Sequence, residues 1–122
     1  MSNSINWFAI PTDDLSRAVK FYNTIFGFEM HEMTMAGSEL AFFPSEQGAV
    51  SGHLFKAEPF KPSDKGPLLY LNGGDDLQPI LDRVESAGGK VVANKRQITP
   101  EIGYVAEFID TEGNKVALHS PN

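Results

Sequence analysis

Residues 14–28 read Asp-Leu-Ser-Arg-Ala-Val-Lys-Phe-Tyr-Asn-Thr-Ile-Phe-Gly-Phe, and this stretch decides the first half of the fold. Leu15, Ala18, Val19, Tyr22, Ile25 and Phe26 recur at the i, i+3, i+4 spacing of one buried helical face. Asp13 or Asp14 can cap such a helix, and Gly27 stops it. Upstream, residues 4–10 (SINWFAI) are β-branched and aromatic and close on Pro11, which suits a strand ending in a turn. Downstream, residues 28–35, 39–44 and 49–56 are short extended stretches separated by turn residues. The first half therefore reads βαβββ.

The pattern restarts after residues 57–67 (AEPFKPSDKGP), whose three prolines and lack of periodicity make them an extended connector. Residues 68–72 form an apolar run. Leu77, Ile80, Leu81, Val84 and Ala87 then make a second helical face, with Pro79 in its first turn and Gly88-Gly89 as its stop. Residues 90–98, 103–109 and 114–120 supply three more strands. An offset of 62 carries Asp14-Leu15 onto Asp76-Leu77 and Gly27 onto Gly89, and one of 65 carries Gly48 onto Gly113. The chain thus predicts a single domain made of a duplicated module, 4–56 and 68–120 joined by 57–67.

Composition bounds the chemistry. The 122 residues carry 10 Lys plus Arg against 16 Asp plus Glu, a formal charge of −6, and 41% of them are hydrophobic. That supports one folded domain and gives no basic footprint for nucleic acid or anionic lipid. Zero cysteines remove disulfides, thiolate zinc sites and cysteine nucleophiles together. The N-terminus lacks the basic-then-apolar order of a signal peptide, and no stretch approaches the ~20 apolar residues of a membrane span, so a cytoplasmic protein is expected.

Two motifs carry a resemblance: Phe21-Tyr22 followed by Phe26-Gly27-Phe28, and Phe108-Ile109-Asp110-Thr111-Glu112-Gly113-Asn114. With the repeat, they resemble the vicinal oxygen chelate superfamily of glyoxalase I, bleomycin- and fosfomycin-resistance proteins and extradiol dioxygenases. The resemblance implies an α+β fold in which two βαβββ modules form a cup-shaped mixed β-sheet, and it implies a homodimer. It also implies one divalent metal at the base of the cup, held by residues of the first and last strand of each module. Carried over, those four positions fall on Trp7, Leu69, Ala117 and Gly52, none of which offers a metal a side-chain lone pair. The expectation is therefore no metal cofactor, with an atypical divalent site as the alternative.

Strand alternation sets the remaining candidates. Lys115 and His119 share the face of Ala117, and on the neighbouring strand Glu107 lies between Val105 and Ile109. The first module contributes Phe42 and Leu40 at the matching places, with Leu54 next along from Gly52. His53 joins them only if Gly52 marks a bulge that re-aims it. The candidate ligand-binding residues are thus Trp7, Phe42, Gly52, His53, Leu54, Leu69, Val105 and Ala117, and the candidate catalytic pair is Glu107 and His119. Bland readings stand beside these. Glu107 can be an ion-paired rim carboxylate, His119 a surface or dimer-contact residue, and Trp7 a plug rather than a stacking platform.

Two functions follow as expectations. One is a binding protein, similar to the bleomycin-resistance branch, holding a small, partly apolar molecule in an apolar cup without a metal. The other is a glyoxalase- or dioxygenase-type enzyme using Glu107 and His119, or an atypical metal, in proton transfer. Glyoxalase I activity itself fits poorly, because enediolate stabilisation needs the metal's charge.

Overall fold

The structure is a computed structural model that describes residues 3–122. In chain order it runs β1 (Trp7–Pro11), α1 (Leu15–Phe26), β2 (His31–Met35), β3 (Ser38–Phe42) and β4 (Ser51–Phe55), then β5 (Tyr70–Asn72), α2 (Gln78–Arg83), β6 (Lys90–Thr99), β7 (Gly103–Ile109) and β8 (Lys115–Ser120). The strands form two four-stranded mixed sheets of the same plan, β1-β4-β3-β2 and β5-β8-β7-β6, and in each the first and last strands of the half pair in parallel. The α+β class and the βαβββ repeat are as the sequence predicts.

Helix α1 ends where its chemistry says. The Asp14 carboxylate accepts the Arg17 N–H at 3.1 Å. At the other end Gly27 turns left-handed at φ 71°, placing its N–H on the Asn23 carbonyl. Ala18, Val19, Tyr22 and Ile25 are buried as the spacing predicts, Leu15 and Phe26 are half-buried at the ends of the face, and Phe21, outside the predicted set, is buried as well. Helix α2 is shorter than the apolar spacing suggests: it stops at Arg83, and residues 84–89 continue as turns in which Gly89 donates to the Val84 carbonyl at 2.9 Å. Val84 still reaches the core, because a tight turn keeps it on the same side.

Both helices cover one side of the two sheets, and a single apolar cluster runs through them. Ile10, Ala41 and Leu54 of the first sheet share it with Ala106, Phe108, Val116 and Leu118 of the second. The turn between β7 and β8 locks the halves together. Asp110 accepts the Tyr22 hydroxyl at 2.7 Å and the N–H groups of Glu112 and Asn114, while the Asn114 amide donates to the Pro11 carbonyl at 2.8 Å. The buried Glu112 carboxylate accepts the Asp13 and Asp14 N–H groups, at 2.9 and 2.8 Å, at the entry to α1, and Arg17 grips it from the side at 2.7 Å. Burial alone would raise the Glu112 carboxyl, but these hydrogen bonds hold it below the ordinary value of 4.5. The opposite side of both sheets carries no helix.

Candidate functional site

On the bare side of the first sheet, Trp7 and Ala9 of β1, His53 and Phe55 of β4, and Leu40 and Phe42 of β3 lie together. Ring centroids are 5.9 Å apart for Trp7 and Phe42, 5.6 Å for Phe42 and His53, and 5.8 Å for His53 and Phe55. The Trp7 indole donates to His53 Nδ1 at 2.8 Å. An indole only donates, so Nδ1 must be unprotonated and the neutral ring carries its proton on Nε2. Burial pushes the His53 pKa below its ordinary value of 6.5, in the same direction. Trp7 remains 46% exposed despite these contacts, as a surface open to a ligand would be.

This arrangement corrects two expectations. Gly52 and Leu54 do not face this side: Leu54 is wholly buried in the core, and a Cβ on Gly52 would sit 2.4 Å from the Phe8 carbonyl oxygen. His53 faces the bare side in an unbroken ladder, without the bulge that simple alternation demanded. The cause is one residue of turn length. An offset of 65 carries Phe42 onto Glu107, but β4 and β8 match at 64, His53 onto Ala117, and a slip of one inverts every side chain of a strand.

The second sheet shows the same slip at its first strand. Tyr70 and Asn72 stand in register with Ala117 and His119 on the bare side, whereas Leu69 turns toward the core, which corrects its placement in the cup. Val105 and Glu107 do lie beside His119 and Ala117 on the neighbouring strand. Glu107 is held by Arg96 at 3.0 Å and by Lys115 at 3.2 Å. The Arg96 hydrogen bond, with help from Lys115 and against partial burial, keeps its carboxyl below 4.5. His119 Nε2 meets the Ile102 carbonyl at 2.5 Å, so that nitrogen is the donor. Glu107 and His119 thus have separate partners, and no hydrogen bond joins them.

Sequence reasoning missed Phe55, Tyr70, Asn72 and Arg96 on this side. Tyr70 was readable from the alternation Leu69, Tyr70, Leu71 set against Ala117. Arg96 was hidden, because β6 carries register irregularities between Val91 and Ala93 and between Ala93 and Arg96 that bring both Ala93 and Arg96 to one face.

The residues present do not fit the metal that the resemblance implies. Corrected for register, the four positions supply one imidazole, and its Nδ1 is occupied by the Trp7 N–H. Among the described residues no three of His, Cys, Asp and Glu gather as a divalent ion would need.

Two cavities lie along the seam between the sheets. The larger, about 980 Å³, opens where the entry to α2 and strand β5 face residues 44–46 and 49–51, with Phe8, Phe26, Phe28 and Phe43 in its wall. The matching place in the other half is filled by Glu112 and its partners. The smaller, about 260 Å³, is bounded by Ala9 and Pro11 of β1, Lys115 of β8, and Lys61 and Ser63 of the connector.

With this geometry in view, the family model described as Glyoxalase/Bleomycin resistance protein/Dioxygenase superfamily matches residues 4–118. The chain belongs to this superfamily. A superfamily relative from Didymella fabae, a glyoxylase-like domain-containing protein, is 30% identical over 97% of this chain and 94% of its own length. Among solved structures, a glyoxalase/bleomycin resistance protein from Albidiferax ferrireducens T118 matches with a TM-score of 0.73 at 15% identity, over 95% of this chain and 97% of that one. TnmS3, an antibiotic binding protein from Streptomyces sp. CB03234, matches with a TM-score of 0.64 at 24% identity, over 100% and 99% of the two chains. At these identities the structural likenesses establish the superfamily fold, a fold that hosts many chemistries. No helix among the described residues is long and apolar enough to cross a membrane.

Proposed function

We propose that this protein binds a small, partly apolar molecule on the bare side of its sheets, without the divalent metal usual in the superfamily. The observation that carries this reading is the cluster of Trp7, Phe42, His53 and Phe55, four rings on a side that no helix covers. An aromatic surface of rings tilted 40–71° to one another, with a few fixed polar groups, suits a ring system better than a sugar or a polyphosphate. The fold likeness to an antibiotic binding protein supports the same class of role. Proton transfer by Glu107 and His119 is the weaker reading, because each is committed to other partners. A second copy of the chain would cover Met33 and Met35, exposed on the edge strand β2, and a homodimer belongs to the proposal.

Trp7 is the only tryptophan, so its indole N–H gives a single resonance in a nitrogen–proton correlation spectrum. A panel of naphthalene, indole and coumarin derivatives is titrated against the labelled protein. Saturable movement of the Trp7 indole signal by at least one of them is expected. If the whole panel leaves it in place up to the solubility limits, the aromatic cluster is not a binding surface.

A further inference from the structure

The chain carries a net charge of −6, yet the bare side is cationic. Lys90 stands beside Ile109, Lys115 beside Ile109 on the other flank, and Arg96 beside Val105, while Glu107 is the one carboxylate on these strands' bare faces. On these strands three cations face one anion, and the connector's Asp64, which also acts on Lys115, is matched by its own partner Lys65 at 3.1 Å, so an excess of two positive charges remains. Glu107 does not neutralise them: each of its oxygens takes one hydrogen from one cation, Arg96 or Lys115, and the remaining donors of both are uncommitted to it. On the first sheet the matching face is aromatic and neutral, since Trp7 fixes His53 in its uncharged form.

The two kinds of surface adjoin at one place. Lys115 and Ala9 wall the same 260 Å³ cavity at the seam. Ala9 is the register partner of His53 and shares its face with Trp7, two residues and about 7 Å along the strand. A fused-ring molecule lying on Trp7 and His53 would therefore bring a substituent at its end to the seam where Lys115 sits.

We propose that the ligand is an aromatic anion, a ring system bearing one carboxylate or similarly acidic oxygen group, whose rings lie on the Trp7, Phe42 and His53 cluster and whose anionic group pairs with Lys115. This rests on the binding reading above and names the class of molecule it takes. A neutral analogue of the same shape keeps the stacking and loses the ion pair. A cationic one also meets repulsion from Lys115 and Arg96.

The test compares 2-naphthoate with 2-naphthamide, two probes of nearly equal shape that differ in charge, titrated against wild type, Lys115→Gln and Lys20→Gln while the Trp7 indole resonance is followed. In low salt the acid should bind about three- to fivefold more tightly than the amide, the scale of a partly exposed ion pair. That ratio should fall toward one in 0.5 M sodium chloride, about the ionic strength that shortens screening to a few ångströms. It should also fall in Lys115→Gln and persist in Lys20→Gln, whose lysine lies on the exposed side of α1. An amide that binds as tightly as the acid overturns the charge assignment and leaves the aromatic binding surface standing. An acid preference that survives Lys115→Gln overturns the role of Lys115. Failure of both probes to move the Trp7 signal overturns this inference, and the reading beneath it falls only where the whole panel fails as well.

Discussion

Adding one methyl group at residue 52 tests which way β4 faces. Built on the backbone, a Cβ at Gly52 lies 2.4 Å from the Phe8 carbonyl oxygen and 2.5 and 2.6 Å from two Phe8 ring carbons. The ring could rotate away, but the oxygen belongs to β1, which runs parallel to β4 in unbroken register from Trp7 to Pro11. Relief then requires the two strands to part. Overpacking of this kind costs about 1–3 kcal/mol, and a clash with backbone belongs at the upper end. For a chain of this length ~3 kcal/mol is about 12 °C in Tm. Were Gly52 on the bare side, as the 65-residue offset suggests, Gly52→Ala would meet open space and change stability by no more than ~0.5 kcal/mol. Differential scanning calorimetry on Gly52→Ala and His53→Ala separates the two pictures. Gly52→Ala should melt far below wild type, and His53→Ala, which trims a half-buried ring, should lose about 1 kcal/mol. A Gly52→Ala protein melting within ~2 °C of wild type would refute the register and, with it, the place of His53 beside Trp7.

Three further outcomes follow from the same geometry. Glu112→Ala removes the acceptor of the Asp13 and Asp14 N–H groups and should cost about 2–4 kcal/mol in urea unfolding at pH 7. Because the folded Glu112 carboxyl lies below 4.5, its contribution is present above that value and is lost as the pH falls through the lowered one, so the gap between wild type and Glu112→Gln should narrow at pH 3. Tyr22→Phe removes the hydroxyl on buried Asp110 and should lower stability by about 1–3 kcal/mol, measured in the same urea titrations. His53 is held below 6.5, so the stability it lends is present above 6.5 and lost as the pH falls below it. The Trp7 indole resonance should move with a midpoint under 6.5 in wild type and stay flat in His53→Ala.

What could be read from the chain divides along a physical line. Helix α1 was legible because capping and apolar periodicity agree on its place, with the choice between Asp13 and Asp14 as cap settled for Asp14 by its hydrogen bond to Arg17 N–H. The repeat was legible because Gly27, Gly48 and Gly113 take positive φ at turns, while Gly89 has no room for a Cβ, which would lie 2.7 Å from the Ile109 carbonyl oxygen. The facing of β4 was not legible. Gly52 has no side chain to declare a side, and the turn before it differs by one residue from its counterpart, which an offset taken from glycines cannot detect. The length of α2 was overestimated for a related reason: Val84 and Ala87 keep an apolar spacing that tight turns satisfy as well as a helix does. Trp7, Phe42 and Ala117 were placed on the bare side, while Gly52, Leu54 and Leu69 were not, each error being a single-residue shift in a strand.

The matched positions of the two halves show where a duplicated frame is free to diverge. On the covered side the pairs stay apolar, Ala41 with Ala106 and Phe43 with Phe108, because both members pack into one shared core. On the bare side no core constrains them. Phe42 is matched by Glu107, Phe55 by His119, and His53, with its indole partner, by Ala117. Each exchange puts an aromatic group on the first sheet against a charged, polar or small one on the second. A symmetric pair of faces would accept a molecule in either orientation, whereas this pair gives stacking at one end and positive charge at the other. The asymmetry lies wholly in side chains outside the shared core. On the proposed reading, exchanging them between halves, Phe42→Glu with Glu107→Phe, removes the ring beside Trp7 and the carboxylate beside Lys115 together, and should abolish the movement of the Trp7 indole resonance by 2-naphthoate.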